Sequence, residues 1–172
     1  ILVLGGVGDY FDVSDRVIQM INYQPLDMTE KAHHIAKRFP AKRNTEDESY
    51  PFYIRNRIPI SKSIDPNNQY GKFAIFTKET HRLNFGRQTI DLTDLEQLME
   101  LSQTKAIGFA IEYAKKYMDE KRSLHEVVQR VIKDIDENGI DVISAKISGH
   151  FAWFRGLELA FTLNRLRGFE IL

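Results

Sequence analysis

The sequence predicts an α/β chain on three observations: an apolar run closed by glycines at its start, a proline-punctuated stretch of short strand patterns, and helical periodicity through its second half. The run Ile1-Leu2-Val3-Leu4 before Gly5 reads as a strand covered on both faces, as inside a parallel sheet. A chain that opens inside so buried a strand, with no Met and no polar lead-in, is expected to be preceded by further residues that supply the neighbouring strands. Left uncovered, that edge favours association. Asp15 to Met20 follows as a second short strand, closed by Asn22 and Pro25. Asp27 and Glu30 have the spacing of a capping box for a helix running to about Arg38, where Pro40 stops it. Residues 1–40 thus form one expected region, the remnant of a sheet.

Residues 41–92 form the second. The polar stretch 41–50 reads as an exposed loop. Pro51, Pro59 and Pro66 then interrupt the pattern, residues 73–77 and 82–85 look like strands, and Gly86-Arg87-Gln88 turns the latter toward 89–92. The third region, 93–172, is helical. Thr93 with Glu96 and Ser123 with Glu126 mark two further capping boxes. Leu95, Leu98 and Met99, then Ile107, Ala110, Ile111 and Ala114, and again Leu124, Val127, Val128, Val131, Ile132 and Ile135, recur at helical spacing, with Gly139 as a stop. A last helix is expected from about Gly156 to Arg167, ended by Gly168.

Composition narrows the function classes. Of 172 residues, 42% are hydrophobic and 28% charged, which suits one globular domain or one domain with an appendage. Lys+Arg and Asp+Glu are equal at 24 each, so no global field steers the chain to nucleic acid or an anionic membrane, although local basic patches remain. With no cysteine, disulfides, thiolate metal sites and a Cys nucleophile are excluded. No apolar run is long enough to span a bilayer and no secretory signal opens the chain, so a cytoplasmic protein is expected.

The strand-then-glycine arrangement at Gly5, Gly6 and Gly8 lets backbone amides approach a phosphate. The dinucleotide pattern G-x-G-x-x-G fails, because its third glycine would be Phe11. Walker A is absent too: Gly71-Lys72 is followed by Phe73, without the hydroxyl residue or the earlier glycine, so these residues encode no self-sufficient ATPase. Adjacent His33 and His34 diverge by about 100° on a helix and cannot share one metal easily. His81, His125 and His150 lack ligands at metal spacing, and Asp9, Asp12 and Asp15 lack the glycine and glutamate of a calcium loop. No metal site is expected. Basic residues gather at Lys37, Arg38, Lys42 and Arg43, and at Arg55, Arg57 and Lys62 beside Tyr50, Phe52 and Tyr53. Basic–aromatic interleaving suits phosphate contacts and base stacking, as on RNA or DNA, but the plainer reading is a solvated loop beside a small β core.

Three ordered stretches together resemble the predicted ABC-class ATPases, a soluble branch of the P-loop ATPases. Gly5-Gly6-Val7-Gly8-Asp9-Tyr10-Phe11-Asp12-Val13-Ser14-Asp15-Arg16-Val17-Ile18 is similar to the family's strand, Gly-rich turn and following strand. Phe85-Gly86 with Ile90-Asp91-Leu92 and Glu96-Gln97-Leu98, continuing through Ser102 to Gly108, resembles a second block, and Gly149 to Arg167 a third. The resemblance implies an ABC-type nucleotide-binding sheet whose Walker A, signature and Walker B elements precede residue 1. It places residues 1–4 on the switch strand and 5–9 on the switch loop. Where transporter-type relatives carry a histidine, Gly5, Gly6 and Val7 stand here, and Asp9 is the substitute the resemblance suggests for orienting water or a magnesium-bound ligand. In the tail, Trp153-Phe154-Arg155 replaces a proline–arginine pair, and only Arg155 carries over.

The expected function is therefore that of the C-terminal part of an ABC-class ATPase. The intact protein would use ATP and magnesium to drive a conformational change, and this part would depend on the missing N-terminal portion, with a homodimer as a further expected assembly. Two other readings stand beside it: a nucleic-acid-binding module working through Arg55, Arg57 and Lys62, and a structural or dimerisation region using the helical half.

Overall fold

A computed structural model describes residues 1–40 and 56–172. The expected loop at 41–50, Arg55, and the aromatic residues Tyr50, Phe52 and Tyr53 lie outside the described residues. The chain has the mixed α and β content the sequence implies, divided between two units, Ile1–Tyr53 and Ile54–Leu172.

In the first unit, β1 (Ile18–Ile21) and β2 (Gln24–Asp27) form an antiparallel hairpin in which Ile18 pairs with Asp27 and Ile21 with Gln24. Asn22 and Tyr23 make the turn at φ 50° and 64°, the paired left-handed geometry whose twist matches that of the flanking strands. Pro25, expected to end the strand, instead lies within β2. A two-stranded ribbon tolerates it because both strands are edges. Helix α1 (Thr29–Arg38) follows, but without the expected capping box. Because Asp27 is held in the hairpin, the helix starts beyond it, and the carboxylate accepts hydrogen bonds from the Thr29 amide at 3.0 Å and hydroxyl at 2.7 Å. Residues 1–4 form no strand, although a strand was expected there: they pair with none of the described residues, and all four are exposed. Ala32 is the one buried residue among those described in this unit.

The second unit has a dense core. Strands β3 (Ile75–Glu79), β4 (Arg82–Phe85) and β5 (Gln88–Asp91) form a meander in sequence order. Leu83, Phe85 and Ile90 on its inner face pack with Ile107 and Ile111 of α2 (Leu101–Ala114), Val127, Val131 and Ile135 of α3 (Leu124–Asn138), and Leu159 and Leu163 of α4 (Gly156–Arg165). Gly108 sets the approach of α2 to the sheet. A Cβ there would lie 2.6 Å from Ile75 Cγ2 and 2.8 Å from Leu83 Cδ1, so only glycine admits this contact. One turn earlier, the fully buried Thr104 donates its hydroxyl to the Thr80 carbonyl.

The capping box expected at Ser123 forms: Glu126 accepts from the Ser123 amide at 2.7 Å and the Ser123 hydroxyl accepts from the Glu126 amide at 3.3 Å. The one expected at Thr93 does not. Thr93 gives its amide (2.9 Å) and hydroxyl (2.6 Å) to Asp91, residues 93–99 stay in turns, and α2 begins only at Leu101. The tail returns to the start of this unit, where the Ile60 amide donates to the Glu170 carbonyl at 3.0 Å and the Leu172 amide to the Ile58 carbonyl at 2.9 Å. Among the described residues, no helix is long and apolar enough to cross a membrane.

Candidate functional site

The glycine-rich segment lies in the first unit as an open loop leading into two consecutive turns. Gly6 adopts φ +72°, a left-handed conformation that glycine takes without the strain a side chain would add. A Cβ built on Gly5 or Gly6 would meet nothing within 4 Å, so the backbone here is open to approach. The Phe11 amide then donates to the Gly8 carbonyl at 3.1 Å and the Val13 amide to the Tyr10 carbonyl at 3.3 Å. Asp9 occupies the corner of the first turn and is exposed.

Two residues of α1 tie this turn pair to the helix. His33 Nε2 lies 2.8 Å from the Ser14 carbonyl oxygen. Since a carbonyl only accepts, the ring nitrogen carries the proton. Thr29 Oγ1 accepts from the Val17 amide at 3.0 Å while donating to Asp27. The Thr29 hydroxyl and amide, helped by Arg16 at 3.4 Å, hold the Asp27 carboxyl below the usual carboxylate range. Ser14 Oγ closes the arrangement by donating to the Tyr10 carbonyl at 2.5 Å.

Gly5, Gly6 and Gly8 present backbone and Asp9 a carboxylate, but no lysine–hydroxyl pair of the P-loop kind stands beside them in the sequence. No group of three or more His, Asp or Glu able to hold a metal occurs among the described residues.

In the second unit the structure finds Arg57 engaged rather than free. Its guanidinium donates to Asn164 Oδ1 and its carbonyl accepts from the Leu124 amide at 2.6 Å, joining the start of the unit to α3 and α4. Lys62 lines a shallow, open depression with Asp65, Asn67, Phe73 and Lys115. Arg155 closes the N-terminus of α4: its Nε lies 2.9 Å from Oε1 of the buried Glu158, its amide donates to Glu158 Oε2 at 2.8 Å, and its Nη2 reaches Gln97. Arg165 pairs with Asp94 and lies over the Phe161 ring at 4.4 Å.

Residues 74–172, more than half of the chain, match the family model of the MRB1590 C-terminal domain. The chain belongs to that family. Residues 1–57 match the P-loop domain of the ABC-ATPase family, in keeping with the ABC-class resemblance carried by the glycine-rich segment. The two matches divide the sequence much as the fold divides it: the MRB1590 C-terminal domain holds the meander and α2 to α4, and the P-loop portion holds the loop, hairpin and α1. No curated protein matches the chain.

Two clusters in the MRB1590 C-terminal domain escaped sequence reasoning. Asp134 of α3 accepts from the hydroxyls of Tyr113 (2.7 Å) and Tyr117 and lies 2.9 Å from Lys116 Nζ, which sits 3.6 Å from the centre of the Tyr113 ring and 4.7 Å from that of Tyr117. Burial opposes the charged carboxylate, but the hydrogen bonds from Tyr117, Lys116 and Tyr113 outweigh it and hold Asp134 at about 2. The second cluster is a ring row. Phe73 and Phe109 are 5.9 Å apart, Phe109 and Phe151 5.1 Å, and the Lys105 ammonium lies 5.9 Å from the Phe151 ring. The i, i+4 placement of Lys105 and Phe109 on α2 is the signal that points to it. No spacing rule joins either of them to Phe73 or Phe151.

Proposed function

We propose that this chain forms the switch-loop end of an ABC-type ATPase core together with the C-terminal domain that follows it, in a protein that binds and hydrolyses ATP with magnesium to drive a change of conformation. The match of residues 1–57 to the P-loop domain carries the reading. Residues 5–9 provide the switch loop and Asp9 the carboxylate that orients water or a metal-bound ligand. Walker A and Walker B come from N-terminal residues outside these 172, whose strands also cover the exposed Ile1, Leu2, Val3 and Leu4. ABC-type cores work as pairs of nucleotide-binding halves, so the functional unit is a homodimer in the cytoplasm.

The test is nucleotide binding and turnover by this chain and by the chain extended through its native N-terminus. Only the extended protein should bind and hydrolyse ATP, and Asp9→Ala should lower its kcat by on the order of a hundredfold, as losing one preorganised group does. Tight nucleotide binding by the 172 residues alone would overturn the reading.

A nucleic-acid client is the second reading, and one observation favours it. The row Phe73–Phe109–Phe151 begins at a half-exposed ring and ends beside Lys105, which is the pairing of ring faces with a cation that stacks bases and meets their phosphates. The contribution of Arg57 and Lys62 is then limited to phosphate contacts near the start of the unit, since Arg57 is already bonded to Asn164.

A further inference from the structure

We infer that His33 is a positioning residue for the turn that carries Asp9, an inference that rests on the ATPase reading for its functional consequence. The sequence offers His33 and His34 as an adjacent pair without distinguishing them. The fold separates them. His34 is exposed on α1, whereas His33 is half-buried and its Nε2 donates to the Ser14 carbonyl at 2.8 Å. From Ser14 the connection runs inward: Ser14 Oγ donates to the Tyr10 carbonyl at 2.5 Å, and that same carbonyl receives the Val13 amide. Tyr10 follows Asp9 directly, and both lie in the turn closed from the Phe11 amide to the Gly8 carbonyl. His33 is therefore three hydrogen-bonded or covalent steps from the Asp9 backbone.

Among the described residues of the unit Ala32 alone is buried, and Phe11 in the turn is only half-buried, so apolar packing among them holds the turn lightly. Polar ties join the chain after it to α1: the Met28 amide at the N-cap donates to the Val17 carbonyl at 2.9 Å, and the side chains of Thr29 and His33 add one each. The Thr29 tie holds Val17, on the far side of Ser14 from Asp9. The His33 tie holds Ser14 itself, so it governs the path between the helix and Asp9. A carboxylate that must orient a water or a metal-bound ligand is sensitive to its placement, and about 1 Å of displacement can reduce turnover a hundredfold.

The test uses the ATPase that contains this chain, with His33→Ala, His33→Gln and, as the control, His34→Ala. His33→Ala should lower kcat by at least about tenfold with KM for ATP within about twofold. His33→Gln, which keeps an N–H donor, should recover most of that loss, and His34→Ala should leave both constants unchanged. The second readout needs no nucleotide. Amide exchange at Phe11 and Val13 should speed up by about fivefold in His33→Ala, the effect of losing a hydrogen bond of about 1 kcal/mol. A kcat unchanged in His33→Ala, a loss that appears equally in His34→Ala, or unaltered exchange at Phe11 and Val13 would overturn the inference. If the unsubstituted protein does not hydrolyse ATP, the ATPase reading falls, and the exchange measurement alone decides whether His33 holds the turn.

Discussion

Replacing Asp134 by Asn should destabilise the second unit in a way that acid abolishes. The carboxylate receives two phenolic hydroxyls and an ammonium, joining α2 and the turn after it to α3. Its fall from 3.8 to about 2 converts, at about 1.4 kcal/mol per pH unit, into roughly 2.5 kcal/mol of stability held by the ionised form. Lys116 is nearly half exposed and Asp134 about one-fifth, so solvent screening brings the figure down to about 1–2 kcal/mol. The sign follows from the direction: a carboxylate held low in the folded state stabilises it fully above about pH 4, and the contribution vanishes as pH falls through about 2. The chain has a single tryptophan, Trp153, which lies in the second unit, so urea unfolding followed by its fluorescence reports on that unit alone. The gap between the original protein and Asp134→Asn should be about 1–2 kcal/mol at pH 7 and close to nothing near pH 2, the difference cancelling the titration of every other carboxylate. A gap of the same size at both pH values would refute the electrostatic argument and leave packing as the cause.

Gly108→Ala sets two effects against each other. Alanine favours a helix interior by about 1 kcal/mol, while the new methyl must displace Ile75 and Leu83 at a cost of about 1–3 kcal/mol. The variant should therefore be less stable by about 1 kcal/mol in the same urea titration, and a stabilised variant would show that α2 can shift freely on the sheet. For the ring row, a single-stranded oligonucleotide should bind the chain with affinity that falls steeply with salt, and Phe73→Ala should weaken it by about 1–3 kcal/mol, the usual worth of one stacked base. Binding indifferent to Phe73→Ala would remove the row from consideration.

Much of the fold was legible because its signals are local. The helical spacing of Val127, Val128, Val131 and Ile135 and the Ser123–Glu126 box give α3, and the Gly86 turn gives the last two strands of the meander. Two of three capping boxes failed, and the same local pattern stands at both. In Asp27-Met28-Thr29 and Asp91-Leu92-Thr93 an aspartate two residues before a threonine takes both its amide and its hydroxyl, a local turn that competes with helix initiation. The four-residue spacing that suggests a capping box contains no information about that rival. Residues 1–4 read as a strand because their hydrophobicity reports the need to be covered, not whether this stretch of chain supplies the cover. The candidate site divides in the same manner. Its glycines are visible as a motif, whereas His33 becomes distinct from His34 only once the turn at Ser14 is brought against α1.

The two units hold their side chains in place by different physics, and this bears on how a nucleotide-driven protein could work. In the MRB1590 C-terminal domain, position follows from close packing: Leu83, Phe85, Ile107, Ile111, Leu159 and Leu163 are fully buried or nearly so, and among the described residues no buried side-chain polar atom lacks a partner. Such a core moves as a body, since packed interiors resist small adjustments. In the P-loop portion the loop is held by a few hydrogen bonds from Thr29 and His33 to backbone groups, each worth about 1 kcal/mol. Interactions of that size can be exchanged within the energy that ligand binding supplies, whereas a core worth many times more cannot. A loop of this kind can change its shape with the state of a ligand, whereas a packed core of this kind does not. Under the proposed function, the glycine-rich turn and its ties to α1 are where the state of the ligand is converted to a change of geometry.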